Sequence, residues 1–245
     1  MNMNQAVLAV IGISILTSLP VARLVAQAPP TPDQMVAALK QNLAESQKRL
    51  RQYEWIETTA ISLKGEEKSR KQQRVYYGAD GKLTKLPLGE PAAPAPAAPS
   101  GGRRGGGKVK QQVVENKKSD MQEYMEKAAA LIQQYVPPNP AQIQKAKDAG
   151  QMQVQPQPDG KVRVEFRNYV QPNDQMSIDV DAKAALLSGL SVATYLEKPD
   201  DAVTLNVRFA TLADGSSYTA QTALEAKAKN IRVVVENSGH RPLTP

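Results

Sequence analysis

The chain holds few side chains able to do chemistry, and their spacing argues against most of it. His240 is the only histidine, in Ser238-Gly239-His240-Arg241-Pro242, and there is no cysteine. Thiol chemistry and Cys-based metal sites are therefore excluded, and a site built on carboxylates would suit hard cations better than transition metals. A Ser–His pair would need a serine presented on a tight turn, and no G-x-S-x-G stretch exists to present one. His240 reads instead as an exposed residue of the C-terminal tail. Gly102-Arg103-Arg104-Gly105-Gly106-Gly107-Lys108 has the outline of a phosphate-binding G-x-x-x-x-G-K loop. Val109 stands where that loop needs a magnesium-binding Ser or Thr, and a Pro-Ala run stands where a strand should precede it. No aromatics interleave with these arginines, so nucleic acid is not an expected partner. Asp179 and Asp181 lie two apart on one strand, about 7 Å by strand geometry. Such a pair could hold calcium or act as acid and base, but these are the outward positions of an alternating strand and read as solvated. Asp200-Asp201 and Glu66-Glu67 fall in turns, where acids are ordinary. No catalytic set, metal site or cofactor is expected, and the chain reads as non-enzymatic.

The elements that would position any function begin with an export segment. Ala6 to Leu19 is an apolar run without a charge, followed by Pro20 and the small-residue pattern Ala26-Gln27-Ala28. This is the layout of a signal peptide over residues 1–28, cut near Ala28. The run is short for a membrane span, which needs about 20 apolar residues, so no integral span is expected after cleavage. The n-region lacks Lys and Arg and Pro29 follows Ala28, which leaves open a cut at Ala22 or Ala26, or a retained anchor in the inner membrane. Without cysteines an exported domain has no disulfides, and its core must hold by packing. Aromatics are only 4% of residues, so that core is mainly Val, Leu, Ile, Ala and Met. Of the net charge of +7, residues 64–118 contribute +8, residues 1–63 +1 and residues 119–245 −2. The excess therefore belongs to one basic segment, which could contact an anionic envelope surface through Lys68, Arg70, Lys71, Arg74, Arg103, Arg104, Lys108 and Lys110.

Thr31-Pro32-Asp33-Gln34 opens a helix, with Val36, Leu39, Leu43 and Leu50 on one face and Ser46 between them. From Tyr53 to Leu63 the period changes to two. Lys68 to Tyr77 is a strand so polar that it suits a sheet edge or a protruding hairpin, and Ala79-Asp80-Gly81 signals a turn. Residues 89–107 are a Pro/Ala/Gly-rich run, and a disordered basic loop is expected over 89–118. Ser119-Asp120-Met121-Gln122 is a capping box for a second helix with the stripe Met121, Met125, Ala128, Ile132 and Tyr135, stopped by Pro137-Pro138. Asn139-Pro140 caps a third, ending at Gly150. Strand patterns then run through Val162–Val170, Met176–Val180, Leu190–Leu196, Val203–Leu212, Ser217–Leu224 and Ile231–Val235, with Pro172-Asn173-Asp174, Pro199-Asp200-Asp201 and Asp214-Gly215 as turns. One apolar and one polar face per strand marks an antiparallel sheet covered on one side. The expected fold is a single α+β domain over 29–245: a curved antiparallel half-barrel-like meander covered on one face by helices.

Three stretches carry a family resemblance. Val180-Asp181 leads through Leu186-Leu187-Ser188-Gly189-Leu190 into Ser191-Val192; Val203 to Phe209 passes Asp214-Gly215 into the strand from Ser217; and Ile231-Arg232-Val233-Val234-Val235-Glu236-Asn237 closes the chain. Together with the opening helix and the Trp55 strand, this order resembles the bacterial lipoprotein-carrier superfamily, which includes LolA, LolB and RseB. The resemblance implies an exported open half-barrel, plugged by helices, that binds acyl chains in its concave face.

Alternation and resemblance together suggest a non-catalytic periplasmic or secreted protein that binds a lipid, or the acyl chains of a lipoprotein partner, on the apolar concave face. The inward residues would be Trp55, Ile61, Val164, Phe166, Ile178, Val180, Leu205, Val207 and Phe209. The alternative is an envelope protein–protein module with a filled core and a basic contact loop. Residues 1–35, fused to a reporter active only outside the cytoplasm, should confer activity. A cytoplasmic product retaining Met1 would end the export expectation.

Overall fold

Period-two alternation and short turns produce one large antiparallel sheet. The computed structural model describes residues 32–89 and 107–243; the expected signal, the Thr31 cap and the run at 90–106, with Arg103 and Arg104, lie outside them. In chain order the elements are α1 Pro32–Leu50, β1 Tyr53–Leu63, β2 Glu66–Tyr77, β3 Leu83–Leu88, α2 Gly107–Ile132, α3 Pro140–Asp148 and β4 Met152–Pro156. There follow β5 Lys161–Arg167, β6 Gln175–Asp181, β7 Leu186–Tyr195, β8 Ala202–Thr211, β9 Ser217–Ala226 and β10 Ile231–Pro242. The ten strands order as β3-β2-β1-β10-β9-β8-β7-β6-β5-β4, a meander from β4 to β10 to which the N-terminal hairpins add beside β10. The α+β class and the open, helix-covered antiparallel sheet are as the sequence implied.

Several boundaries differ from expectation. The second helix begins at Gly107, not at the Ser119 box, so residues 107–118 are helical turns and not part of a disordered loop. The reason is composition: after Gly107 that stretch holds neither Gly nor Pro and is rich in Lys and Gln, both strong helix formers. Lys108 and Lys110 fall in its opening turn, with side chains outside the described part. The polar strand β2 is an edge over Glu66–Lys71, where β1 is its only described neighbour, while β3 covers its Gln72–Tyr77 half. β5 stops at Arg167, short of Val170, where Asn168 takes a left-handed φ of 51°. The last strand continues to Pro242, so His240 belongs to the sheet and not to a tail.

Helices α2 and α3 cover one end of one sheet face. Tyr135, Ala146, Phe166, Tyr169, Met176, Leu190, Val192 and Leu205 form the main core beneath them, and Leu131, Ile132 and Ile143 pack against it. A second cluster joins Tyr124 of α2 to Ala226 and Ile231. α3 starts as expected, with Asn139 Oδ1 accepting from the Ala141 amide at 2.9 Å. At the opposite strand ends α1 docks by polar contacts. Ser46, buried, accepts from the Ser217 amide at 3.0 Å, and Asn42 donates to the carbonyls of Ala184 and Ala185. Arg49 donates to the Asp214 carbonyl at 2.8 Å. Of the expected stripe, Leu39 and Leu50 are half-buried and Ser46 is buried, but Leu43 points to solvent, 41% exposed, and the Val36 side chain lies outside the described part.

One buried carboxylate fixes where α2 ends. Asp174, 2% exposed, accepts from the backbone amides of Tyr169, Val170 (2.9 Å) and Gln171 (2.8 Å), and from the Tyr135 hydroxyl at 2.6 Å. The Tyr135 oxygen also lies 2.8 Å from Thr194 Oγ1 on β7. Burial, then the Asp174 hydrogen bond, holds the Tyr135 phenol well above its ordinary pKa, so it stays a donor. Tyr135→Phe should lower stability by about 1–3 kcal/mol and Asp174→Ala by more, since the alanine orphans four donors at once. Urea unfolding of both variants checks this; equal, negligible losses would show the network is dispensable.

Candidate functional site

Register shows which residues share the helix-bearing face. One row passes directly across partners from Met152 through Phe166, Met176, Val192, Leu205, Leu224 and Val233 to Ile61 and Ser69. The next runs from Val154 through Val164, Ile178, Leu190, Val207, Thr222 and Val235 to Thr59 and Lys71. Residues directly opposite in a ladder point to the same side, so both rows lie on the face that carries the core. The other face is polar, with Arg163 clasping Asp179 through two hydrogen bonds of 2.7 and 2.8 Å. Asp181 accepts from the Lys183 and Ala184 amides. Both aspartates are thus engaged by local partners, and among the described residues no three His, Asp or Glu side chains gather where a metal could sit.

The nine inward candidates fall into distinct surroundings. Phe166, Leu205 and Val180 are buried, and Phe166 and Leu205 belong to the core under α2 and α3. Val164, Ile178, Val207 and Phe209 are half-buried and pack at its margin. Ile61 keeps the same face but is 38% exposed. Trp55 stands apart in an aromatic group. Its ring stacks on His240 at 5.5 Å and 15°, and its indole N–H donates to Asn237 Oδ1 at 3.0 Å. Tyr218 packs on the other contact of His240, with ring centroids 4.1 Å apart. The apolar ground therefore has two parts: a filled region under α2 and α3, and a half-open strip from Val207 through Thr222, Val235 and Thr59, bordered by Val233 and Ile61.

Three of the four basic candidates with described side chains are paired with acids. Lys68 pairs with Glu66, Arg70 with Glu67 at 2.7 Å and Arg74 with Glu54 at 3.0 Å. Glu54, buried on the polar face, also receives Arg241, so it clamps β2, β1 and β10 together. Two surface clefts, of about 390 and 270 Å³, lie at the strand ends. The larger is charged, lined by Asp120, Glu123, Lys127, Asp201 and Lys229 around Tyr124. Burial and a hydrogen bond to Asp201 hold the Tyr124 phenol well above its ordinary pKa.

Sequence reasoning missed three of these residues. Tyr124 lay three places from Met121 and four from Ala128, a helical spacing that could have placed it on the inner stripe. Asp174 was legible only as a turn residue, and no local signal shows that a turn aspartate will be buried. Nothing in the sequence marks His240 as part of a strand.

No family model matches the chain, and no curated protein matches it. Among solved structures it is similar to a DUF1329 family protein from Desulfovibrio piger ATCC 29098, at 13% identity over 85% of this chain and 92% of that one, TM-score 0.39. It is also similar to a LolA superfamily protein from Nitrosomonas europaea, at 8% identity over 84% and 94%, TM-score 0.35.

Burial depresses the His240 pKa below its ordinary 6.5, so the folded chain prefers the neutral ring. The unfolded chain then binds more protons as pH falls through 6.5, and stability drops until the folded pKa is passed. Melting temperature should fall on acidification below that point, and His240→Phe should flatten this component of the curve. Identical pH profiles for the two proteins would remove His240 from the account.

Proposed function

We propose that this is an exported, non-catalytic protein that holds an acyl chain on the helix-bearing face of its sheet. The observation that carries the reading is the half-open apolar strip beside the filled core. Val207, Val233 and Val235 are half-buried, Ile61 is 38% exposed, and all share one face with the core residues. Burying such surface under a ligand stabilises by about 25 cal/mol per Å² of apolar area removed from water. An acyl chain suits the Val and Ile side chains of the strip, whose strand backbones are already paired, and Thr222 and Thr59 add methyl groups beside their hydroxyls. The resemblance of the strand order to lipoprotein carriers agrees with this, and among the described residues no helix is long and apolar enough to cross a membrane.

Protein purified from its host and sprayed under native conditions should carry fatty acid or phospholipid. Val207→Asp should remove that cargo while the domain still unfolds cooperatively, because a half-open position leaves the carboxylate access to water. Cargo-free wild-type protein, with Val207→Asp unable to fold, would favour the envelope interaction module with a filled core.

A further inference from the structure

We infer that the acyl strip ends in an anion site at Lys71, and that the ligand is an amphiphile with a negatively charged head. This rests on the acyl-chain reading and specifies which lipid it admits. The row Val207, Thr222, Val235, Thr59 passes directly into Lys71, so the lysine shares the apolar face of the sheet. From β8 to β2 is four strand spacings, about 19 Å, the scale of a long acyl tail laid across the strands. Every other cation in the β1–β3 strands has a carboxylate: Lys68 has Glu66, Arg70 Glu67, Arg74 Glu54, and Lys85 pairs with Glu57 at 2.7 Å. Lys71 alone among them makes no hydrogen bond or ion pair with any described residue, although Glu57 is on the same face. Glu57 is already engaged by Lys85, and Glu66, opposite Leu63, by Lys68, so both acids on that face at this edge are taken. Ser69, the next inward residue of β2, adds a hydroxyl donor beside it. Among the described residues no strand pairs with the far side of Glu66–Lys71, so the head-binding end opens to water while the tail end leads to the core. A cation at the solvent end of an apolar strip is the arrangement that fits a carboxylate head with its tail inward.

The test compares cis-parinaric acid with its methyl ester on the delipidated full chain, followed by probe fluorescence. The acid should bind roughly fivefold more tightly than the ester at low ionic strength, the scale of a solvent-exposed ion pair. The preference should vanish in about 1 M salt, where screening reaches about 3 Å. Lys71→Glu should abolish the preference and leave ester binding unchanged, while Lys71→Arg retains it. Equal binding of acid and ester by the wild type, or equal weakening of both by Lys71→Glu, would overturn the anion site and leave the acyl strip standing. Failure of both probes to bind the wild type would overturn the strip and the anion site together.

Discussion

A single buried carboxylate sets the geometry on which the rest of the helix-bearing face depends. Asp174 lies among backbone amides of its own loop and takes a fourth hydrogen bond from Tyr135, just beyond the end of α2. A buried anion is tolerable only when its lone pairs are filled, and here four donors fill them. Because three are backbone groups, the loop between β5 and β6 is shaped around the charge. Because the fourth comes from beyond α2, that helix cannot slide along the sheet without exposing an unpaired ion to a dry interior. Thr194 and Gln171 extend the network to β7, so three separate parts of the chain meet at the Tyr135 hydroxyl.

This pinning confines α2 and α3 to one end of the strands, while α1 is held at the other by Ser46, Asn42 and Arg49. The two attachments differ in kind. The first buries large side chains, Tyr135, Phe166 and Met176 among them, and the second is a set of hydrogen bonds to turns. Leu39 and Leu50 of α1 are half-buried beside those hydrogen bonds, while Leu43 faces water. This arrangement leaves part of the sheet between the two attachments uncovered, and the half-buried valines lie there.

The strands were legible in the sequence because a half-covered sheet writes its two faces into alternate residues. All nine inward candidates fall on one side for that reason, and the Asn139 cap was readable because its chemistry is local. What the sequence did not reveal depends on distant partners. That Ser46 faces the sheet and Leu43 does not depends on the Ser217 amide that donates to Ser46, 171 residues away. His240 joins a strand because Trp55 and Tyr218 receive its ring. Period two also cannot separate an inward position under a helix from one left open, so Leu205 and Ile61 look alike in sequence and differ in burial.

The sheet is open, and its two outermost strands each contain a proline, Pro87 in β3 and Pro156 in β4. A proline in an edge strand leaves the native ladder intact when its nitrogen faces outward. The same residue confronts any incoming strand with a missing donor. Val154 on β4 and Leu83, Leu86 and Leu88 on β3 are exposed enough to attract such a strand, so the edges combine stickiness with an incomplete template. A strand pairing with either outer edge would meet one position that has no backbone donor, although the sheet does not close into a barrel.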